Sequence, residues 1–340
     1  MLLFGALSRR DDGAPLPDSP ADCYTLPMRK RPLGKTGMNV TELGLGTWGL
    51  SGDGYSVVPE AEQDRVLERA RALGIRLLDT APSYANGAME RRLGERLGDD
   101  ASVRFVTKIG TDQDAAIPRK RFDAEYLKRA VEASQERLRR PVLDVVLLHN
   151  PSLDAIEKGE ACATLTELVK GGALRAWGVS AGSVAVGKAA IAKGAQVLSL
   201  VYNALHSIDL RELASEIEKE EVGVIAHSLL AYGLLAGHWP ADKTFAEGDH
   251  RRERWTGDEL RRRVRQLDAL RPAVGGEVLT LRAVALRFVL ENRMLSSAVL
   301  GPRSALQLDQ LVREAGKGPP YLEPTKLSAL YNRLRTVGVS

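Results

Sequence analysis

Five polar residues stand at the ends of short apolar runs. Asp79 follows the run at 75–78, with Tyr84 a few residues on in DTAPSY. Lys108 follows 104–107, His149 follows LDVVLL at 143–148, and Ser180 follows 174–179. A hydride delivered to a carbonyl carbon leaves negative charge on the oxygen, which then needs a proton. A free phenol has a pKa of about 10, too high for easy exchange near neutrality. A neighbouring lysine ammonium favours the phenolate and lowers that value. Asp79 can hold Lys108 as an ion pair, and His149 can donate to the carbonyl oxygen and orient it. Singly, each residue has an ordinary role: an aspartate after a strand caps a turn, a tyrosine packs, a lysine is solvated, a histidine sits satisfied in a core. Grouped at the ends of consecutive runs, Asp79, Tyr84, Lys108 and His149 point to a positioned acid/base centre.

Such a centre needs a frame that gathers strand ends, and the chain has the matching texture. Apolar runs at 42–45, 75–78, 103–109, 143–148, 174–179, 197–201, 223–226 and 297–300 alternate with helical spacing over 60–73, 88–97, 123–139, 165–170, 183–193, 210–220, 280–290 and 305–312. The unbroken run LDVVLL is what a strand covered on both faces requires. Repeated βα units predict a parallel sheet. About eight units over about 300 residues suit a single-domain α/β fold, a (β/α)8 TIM barrel. A doubly wound sheet is the alternative. In a barrel the chemistry belongs at the C-terminal ends of the strands.

Composition agrees with a large soluble core: 44% hydrophobic and 27% charged residues over 340. The net charge of +4 is small for this length and gives no reason to expect a nucleic-acid partner. No run is long enough to span a bilayer, so no membrane partner is expected. Cys23 and Cys162 are far apart and lack metal-ligand spacing, which predicts no metal site and a reducing, cytoplasmic setting. Residues 1–27 are rich in Pro, Asp and Gly, and they read as a disordered extension. Residues 28–340 then form the barrel domain. The arginines at 261, 262, 263 and 265 lie on an amphipathic pattern at 258–270 and read as a solvated face. The irregular stretch 237–271 that contains them has the length of a lid.

Residues 44–49, GLGTWG, match the letters of the dinucleotide loop G-x-G-x-x-G. In that motif the last glycine opens a helix whose N-terminus faces the pyrophosphate. Here the following residues 51–55 are turn-rich, and helical spacing begins only near Pro59. The match therefore does not predict a Rossmann domain.

From about Arg31 to about Arg313 the chain resembles the aldo-keto reductase superfamily. The resemblance is carried by LGKTGMNVTELGLGTWGL, GIRLLDTAPSYANGAMERRLGERL, RFVTKIG, LDVVLLHNP, LRAWGVS, GVIAHSLLAYGLLAGHW and VLGPRSALQLDQL. The spacing in YANGAME is similar to branches related to potassium-channel β subunits and bacterial sugar or aldehyde reductases. The resemblance implies a (β/α)8 barrel that binds NADP(H) extended. It implies Tyr84 as general acid/base, tuned by Lys108 and Asp79, with His149 orienting the carbonyl. It places Gly46, Thr47, Trp48 and Asp79 at the nicotinamide, with Ser180 and Ala181 at its carboxamide. Ser199 stands where the family has a glutamine, and His227, followed by Ser228 and Leu229, where it has a stacking aromatic. Gly301, Pro302, Arg303, Ser304 and Gln307 fall at the adenine end, with Arg303 toward the 2′-phosphate. Ala181 and Leu311 replace two asparagines of the family pattern. The substrate implied is a small aldehyde, ketone or sugar carbonyl, in a pocket to which Trp48, Tyr55 and Trp239 are candidates. Because one site serves both directions, an aldose dehydrogenase is a second reading. A cofactor-sensing regulatory subunit is a third. The residues carry no reading of oligomeric state.

Overall fold

The computed structural model describes residues 28–113 and 115–339. The expectation for residues 1–27 lies outside them. Eight parallel strands close into a barrel in chain order: β1 (Leu43–Gly46), β2 (Leu77–Asp79), β3 (Arg104–Ile109), β4 (Leu143–His149), β5 (Leu174–Ser180), β6 (Val197–Val201), β7 (Gly223–His227) and β8 (Ser297–Leu300), which pairs back on β1. Each is followed by a helix on the outside: α1 (Glu60–Ala72), α2 (Ala88–Leu97), α3 (Ala124–Leu138), α4 (Glu160–Lys170), α5 (Val184–Ala192), α6 (Ile208–Lys219), α7 (Leu281–Glu291) and α8 (Ala305–Ala315). The doubly wound alternative is excluded by the β8–β1 pairing, Ala298 opposite Leu43 and Leu300 opposite Leu45.

Helix α3 shows how local sequence sets these elements. The Asp123 carboxylate accepts from the Tyr126 N–H and caps the first turn, a contact of about 1 kcal/mol. Leu127, Val131, Ser134 and Leu138 recur on one buried face, and Arg139 ends the helix in a left-handed conformation, φ 53°.

The strands sort their side chains with period two. Leu77, Val106, Val145, Leu147, Ala176, Val197, Ile225 and Val299 pack inside the barrel, while Leu78, Phe105, Val146, Leu148, Val179, Leu198 and Val224 join the larger core under the helices. Continuing the inward set by two residues, or by four from Ala176 past Gly178, brings Asp79, Lys108, His149, Ser180, Ser199 and His227 to the upper end of the barrel. Sequence patterning thus puts the polar residues inside a closed ring. The lower mouth is filled by Leu33, Met38 and Val40 of an antiparallel hairpin, Lys30–Pro32 with Asn39–Thr41. Gly178 is needed for closure: a Cβ there would stand 1.8 Å from the Val197 carbonyl oxygen.

Besides this hairpin, three elements depart from the sequence reading. A single helical turn, Trp48–Ser51, does follow GLG, stopped by Gly52 at φ 88°. Helix α4 starts at Glu160, five residues before the expected 165. A last helix, Pro324–Thr336, packs Leu330 and Leu334 into the core. The insertion between β7 and α7 carries a helix at Gly257–Gln266, in which Arg261 pairs with Asp258, and Arg262 and Arg263 pair with Glu259, as a solvated face would. Among the described residues no helix is long and apolar enough to cross a membrane.

Candidate active site

The centre of the upper rim is the Lys108 ammonium. Its Nζ donates to Asp79 Oδ1 at 2.6 Å, to the Thr80 carbonyl at 3.0 Å and to Tyr84 Oη at 3.2 Å, which uses all three of its donors. Lys108 and Asp79 are buried. Burial opposes the ammonium, but the charges of Asp79 and Tyr84 outweigh it, and the Lys108 pKa stands above its ordinary value. Lys108 is therefore a fixed cation at neutral pH.

Tyr84 differs from the expectation in direction. Its pKa is raised, because burial outweighs the attraction of Lys108, and Asp79 adds to the rise. Lys108 lowers the phenol relative to an uncompensated buried tyrosine, but not below a free one. Burial is a property of the closed rim, and the spacing in DTAPSY does not report it. Tyr84 is set by a strained loop: Ala85 and Asn86 are left-handed at φ 49° and 47°, and the Ala85 N–H donates to Asp53 Oδ2 at 2.7 Å. Asp53, on the loop after β1, is a holding residue that the sequence reading missed.

His149 faces Tyr84 edge-on, with ring centroids 6.3 Å apart at 84°. Burial first, then Lys108 and Lys120, depress its pKa to about 2. The imidazole is neutral, and its Nδ1 is buried with no partner among the described residues. Lys120 Nζ braces the same residue through the His149 carbonyl at 2.7 Å.

The strand register brings the remaining rim residues into one arc. His149 lies opposite Ser180, Ser180 opposite Ser199, and Val201 opposite His227. Ser180 Oγ donates to Asn150 Oδ1 at 3.1 Å, with Asn150 left-handed at φ 48°. Asn150 was missed, although the quoted LLHNP contains it. The Ala181 N–H donates to the Ser199 carbonyl at 2.9 Å, while Ser199 Oγ is buried with no partner among the described residues. His227 Nδ1 lies 3.0 Å from Ser228 Oγ, its pKa is depressed to about 4 by burial and Lys108, and Leu229 is buried beside it.

The β1 loop completes the mouth. The Thr47 N–H and Oγ1 both donate to the Asp79 carbonyl at 3.0 Å, tying Gly46 and Trp48 to the end of β2. A Cβ on Gly46 would meet Val299 Cγ1 at 2.7 Å. Trp48 packs against Tyr55 and against His250 of the β7–α7 insertion, at centroid distances of 5.4 and 4.7 Å. The His250 N–H donates to the Gly54 carbonyl, so the insertion lies over this loop as a lid would.

The other end of the arc is the start of α8. Ser304 caps it by accepting from the Gln307 N–H, and Gln307 Oε1 accepts from the Arg303 N–H at 2.8 Å. Pro302 is buried, Gly301 is exposed, and Leu311 turns into the core. The Arg303 guanidinium is engaged with the β1 loop: Nη2 donates to the Ser56 carbonyl at 2.6 Å and to Ser56 Oγ at 2.7 Å, and the group lies over the Tyr55 ring. Its Nε is buried and has no partner among the described residues. The expected residues lie along this rim in three groups: Asp79, Tyr84, Lys108 and His149 at the centre, Gly46 to Trp48 with Ser180, Ala181, Ser199 and 227–229 around them, and residues 301–307 beyond β8. Among the described residues no cluster of three or more side chains could hold a metal ion.

A family model described as the Aldo/keto reductase family matches residues 42–316. The chain is similar to pyridoxal 4-dehydrogenase of Microbacterium luteolum, 27% identical over 323 residues that span 83% of this chain and 92% of the relative. It is also similar to D-threo-aldose 1-dehydrogenase of a Pseudomonas species, 28% identical over 302 residues, 81% of this chain and 89% of the relative. The solved glycerol dehydrogenase of Gluconobacter oxydans matches with a TM-score of 0.78 and 23% identity, covering 92% of this chain and 96% of that one. That likeness is one of fold.

Proposed function

The chain belongs to the aldo/keto reductase family and is an oxidoreductase of the CH–OH/C=O class, and we propose that it reduces an aldehyde, ketone or sugar carbonyl with NADP(H), Tyr84 giving the proton. The observation that carries the reading is the Lys108 ammonium held between Asp79 and Tyr84 Oη. A nicotinamide dinucleotide, when bound, supplies or accepts the hydride. The residues present suit it: Ser199 Oγ and Arg303 Nε are buried without partners among the described residues, at the two ends of the arc, and Gly46 leaves backbone open to close approach. In this reading Thr47, Trp48, Ser180, Ser199 and His227 with Ser228 and Leu229 hold the nicotinamide end, and Gly301 to Ser304 with Gln307 hold the adenosine.

The chain's own steps follow from geometry and charge. Neutral His149 donates to the carbonyl oxygen and sets it beside Tyr84 Oη. As charge develops on that oxygen, the Tyr84 proton moves to it, and Lys108 stabilises the phenolate left behind. The lid over Trp48 and Tyr55 keeps water from the exchange. Running backwards, the same groups take a proton from an alcohol, and both relatives named above are dehydrogenases, which supports aldose oxidation as the second reading. A purely regulatory role is disfavoured, since it needs no intact proton relay.

The test is a panel of aldehydes, ketones and aldoses with NADPH and NADH, and their alcohols with the oxidised forms, followed by nicotinamide absorbance. Turnover on one class that is lost in Tyr84→Phe supports the reading. No turnover in either direction, with cofactor bound, overturns it and favours the regulatory role.

A further inference from the structure

The start of α8 already holds an anion belonging to the chain. Glu62, in the first turn of α1, reaches across the β8–β1 junction, and its Oε1 accepts from the Ala305 N–H at 2.8 Å. Ala305 is the first residue of α8, where an unpaired N–H and the helix dipole favour negative charge. Arg65 donates to Oε2 of the same carboxylate. The Ala305 N–H and Arg65 together hold Glu62 below the usual carboxylate range, so it is charged at neutral pH. Two residues earlier, the Arg303 guanidinium is committed to Ser56. Of the two groups that would receive an adenosine 2′-phosphate, the Ala305 amide is thus taken by the chain itself, and Arg303 is held through Nη2 while its Nε has no partner among the described residues.

We propose that Glu62 is a specificity-determining residue: it opposes the 2′-phosphate at the start of α8 and holds the preference for NADP(H) over NAD(H) low. This rests on the cofactor reading given above. A phosphate at the Ala305 N–H has to displace a carboxylate that carries a full like charge. A ribose 2′-hydroxyl meets no such opposition, because it can donate to that carboxylate, as acidic residues do in other dinucleotide sites. Arg303 attracts the phosphate, Glu62 repels it, and the net discrimination is their difference.

The test is direct binding. NADPH and NADH are titrated by tryptophan fluorescence into the wild type, Glu62→Gln and Glu62→Ala, with thermal midpoints recorded to show that each variant is folded. In the wild type the two dissociation constants are expected to lie within about tenfold. Glu62→Ala frees the amide for a charge-assisted bond to phosphate, and Glu62→Gln keeps an acceptor there but removes the like charge, so NADPH should tighten in both, by roughly five- to tenfold in Glu62→Ala and by less in Glu62→Gln, at the low end of such a contact. NADH should stay within about twofold or weaken. Arg303→Ala should move the ratio the other way. Equal shifts for both cofactors, or weaker NADPH binding in the two Glu62 variants, overturn the proposal while leaving the cofactor reading intact. Failure of either dinucleotide to bind the wild type overturns the cofactor reading, and this proposal with it.

Discussion

Replacing Lys108 by methionine removes the charge that sets the phenol and keeps most of the side-chain volume. In the folded protein Lys108 Nζ lies 3.2 Å from Tyr84 Oη. At an effective dielectric of about 20 the attraction between ammonium and phenolate is 332/(20 × 3.2), about 5 kcal/mol, or roughly four pKa units. Tyr84 is partly open to solvent, so we take two to three units as the expected rise. The direction is upward on top of a pKa that burial already raises. In the oxidative direction the phenolate is the base, so the rate climbs with pH through the Tyr84 pKa. The pH–rate profile for alcohol oxidation should have its rising limb displaced upward by about two to three units. At a fixed pH below both limbs the rate should fall by about 10²–10³-fold, since each unit is tenfold. Leaving Asp79 buried and unpaired is itself costly, about 3–5 kcal/mol, so Asp79→Asn is added to Lys108→Met as the companion that restores a neutral site. Because Asp79 itself raises Tyr84, its loss in the double variant offsets part of this rise; a folded, cofactor-binding double variant whose limb does not move upward at all would refute the assignment of Lys108 as the group that tunes Tyr84.

Tyr84→Phe should lower turnover by about 100-fold or more, the scale of a positioned proton transfer, while dissociation constants for the cofactor stay nearly unchanged; wild-type turnover in steady-state assays would remove Tyr84 from the chemistry. Three histidines bear on acid stability, because burial depresses His149 to about 2 and His227 and His250 to about 4, against 6.5 for the unfolded chain. Below pH 6.5 the unfolded chain binds protons that the folded one refuses, so stability is complete above that pH and declines as pH falls toward 4, by up to about 1.4 kcal/mol per unit for each histidine. Thermal midpoints taken from neutral pH down to about pH 5, above most carboxylate titration, should fall steadily, and a flat profile would contradict the burial of these rings. Gly178→Ala should destabilise severely, since its Cβ would stand 1.8 Å from the Val197 carbonyl oxygen between β5 and β6; denaturant unfolding that shows a loss under about 1 kcal/mol, the ordinary effect of a point change, would mean the strands separate more easily than the register indicates.

The eight strands were legible because a strand buried on both faces has a simple signature: LDVVLL cannot be amphipathic when helices cover one side and the barrel interior the other. The gathering of Asp79, Lys108 and His149 at one end of the barrel was legible for a related reason. Period two carries Val145 and Leu147 on to His149, and Val106 on to Lys108, so a polar residue closing an apolar run marks the top of the barrel. The hairpin under the barrel and the helix Pro324–Thr336 escaped because their strands and faces are short or mixed, and only contact with an existing core makes them pay. The direction of the Tyr84 shift escaped because residue spacing reports neighbours, whereas burial depends on which loops lie over them.

What sequence could not supply is concentrated where the ring closes. Arg303 meets Ser56, and Ala305 meets Glu62, across separations of 247 and 243 residues. Both contacts exist only because β8 pairs with β1, which sets the first turn of α1 beside the first turn of α8. Local pattern shows an arginine after an apolar run and a glutamate near the start of a helix, each ordinary alone. Closure turns them into a cation and an anion at one helix terminus, which in the proposal above act in opposite senses on a 2′-phosphate. In a barrel whose strands follow one another in chain order, β8–β1 is the one strand junction that joins distant sequence. The group of Asp79, Tyr84, Lys108 and His149, on β2, β3, β4 and the loop after β2, is therefore readable from nearly contiguous sequence, whereas the contacts of Arg303 and Glu62 across the β8–β1 seam have to be read from the folded chain.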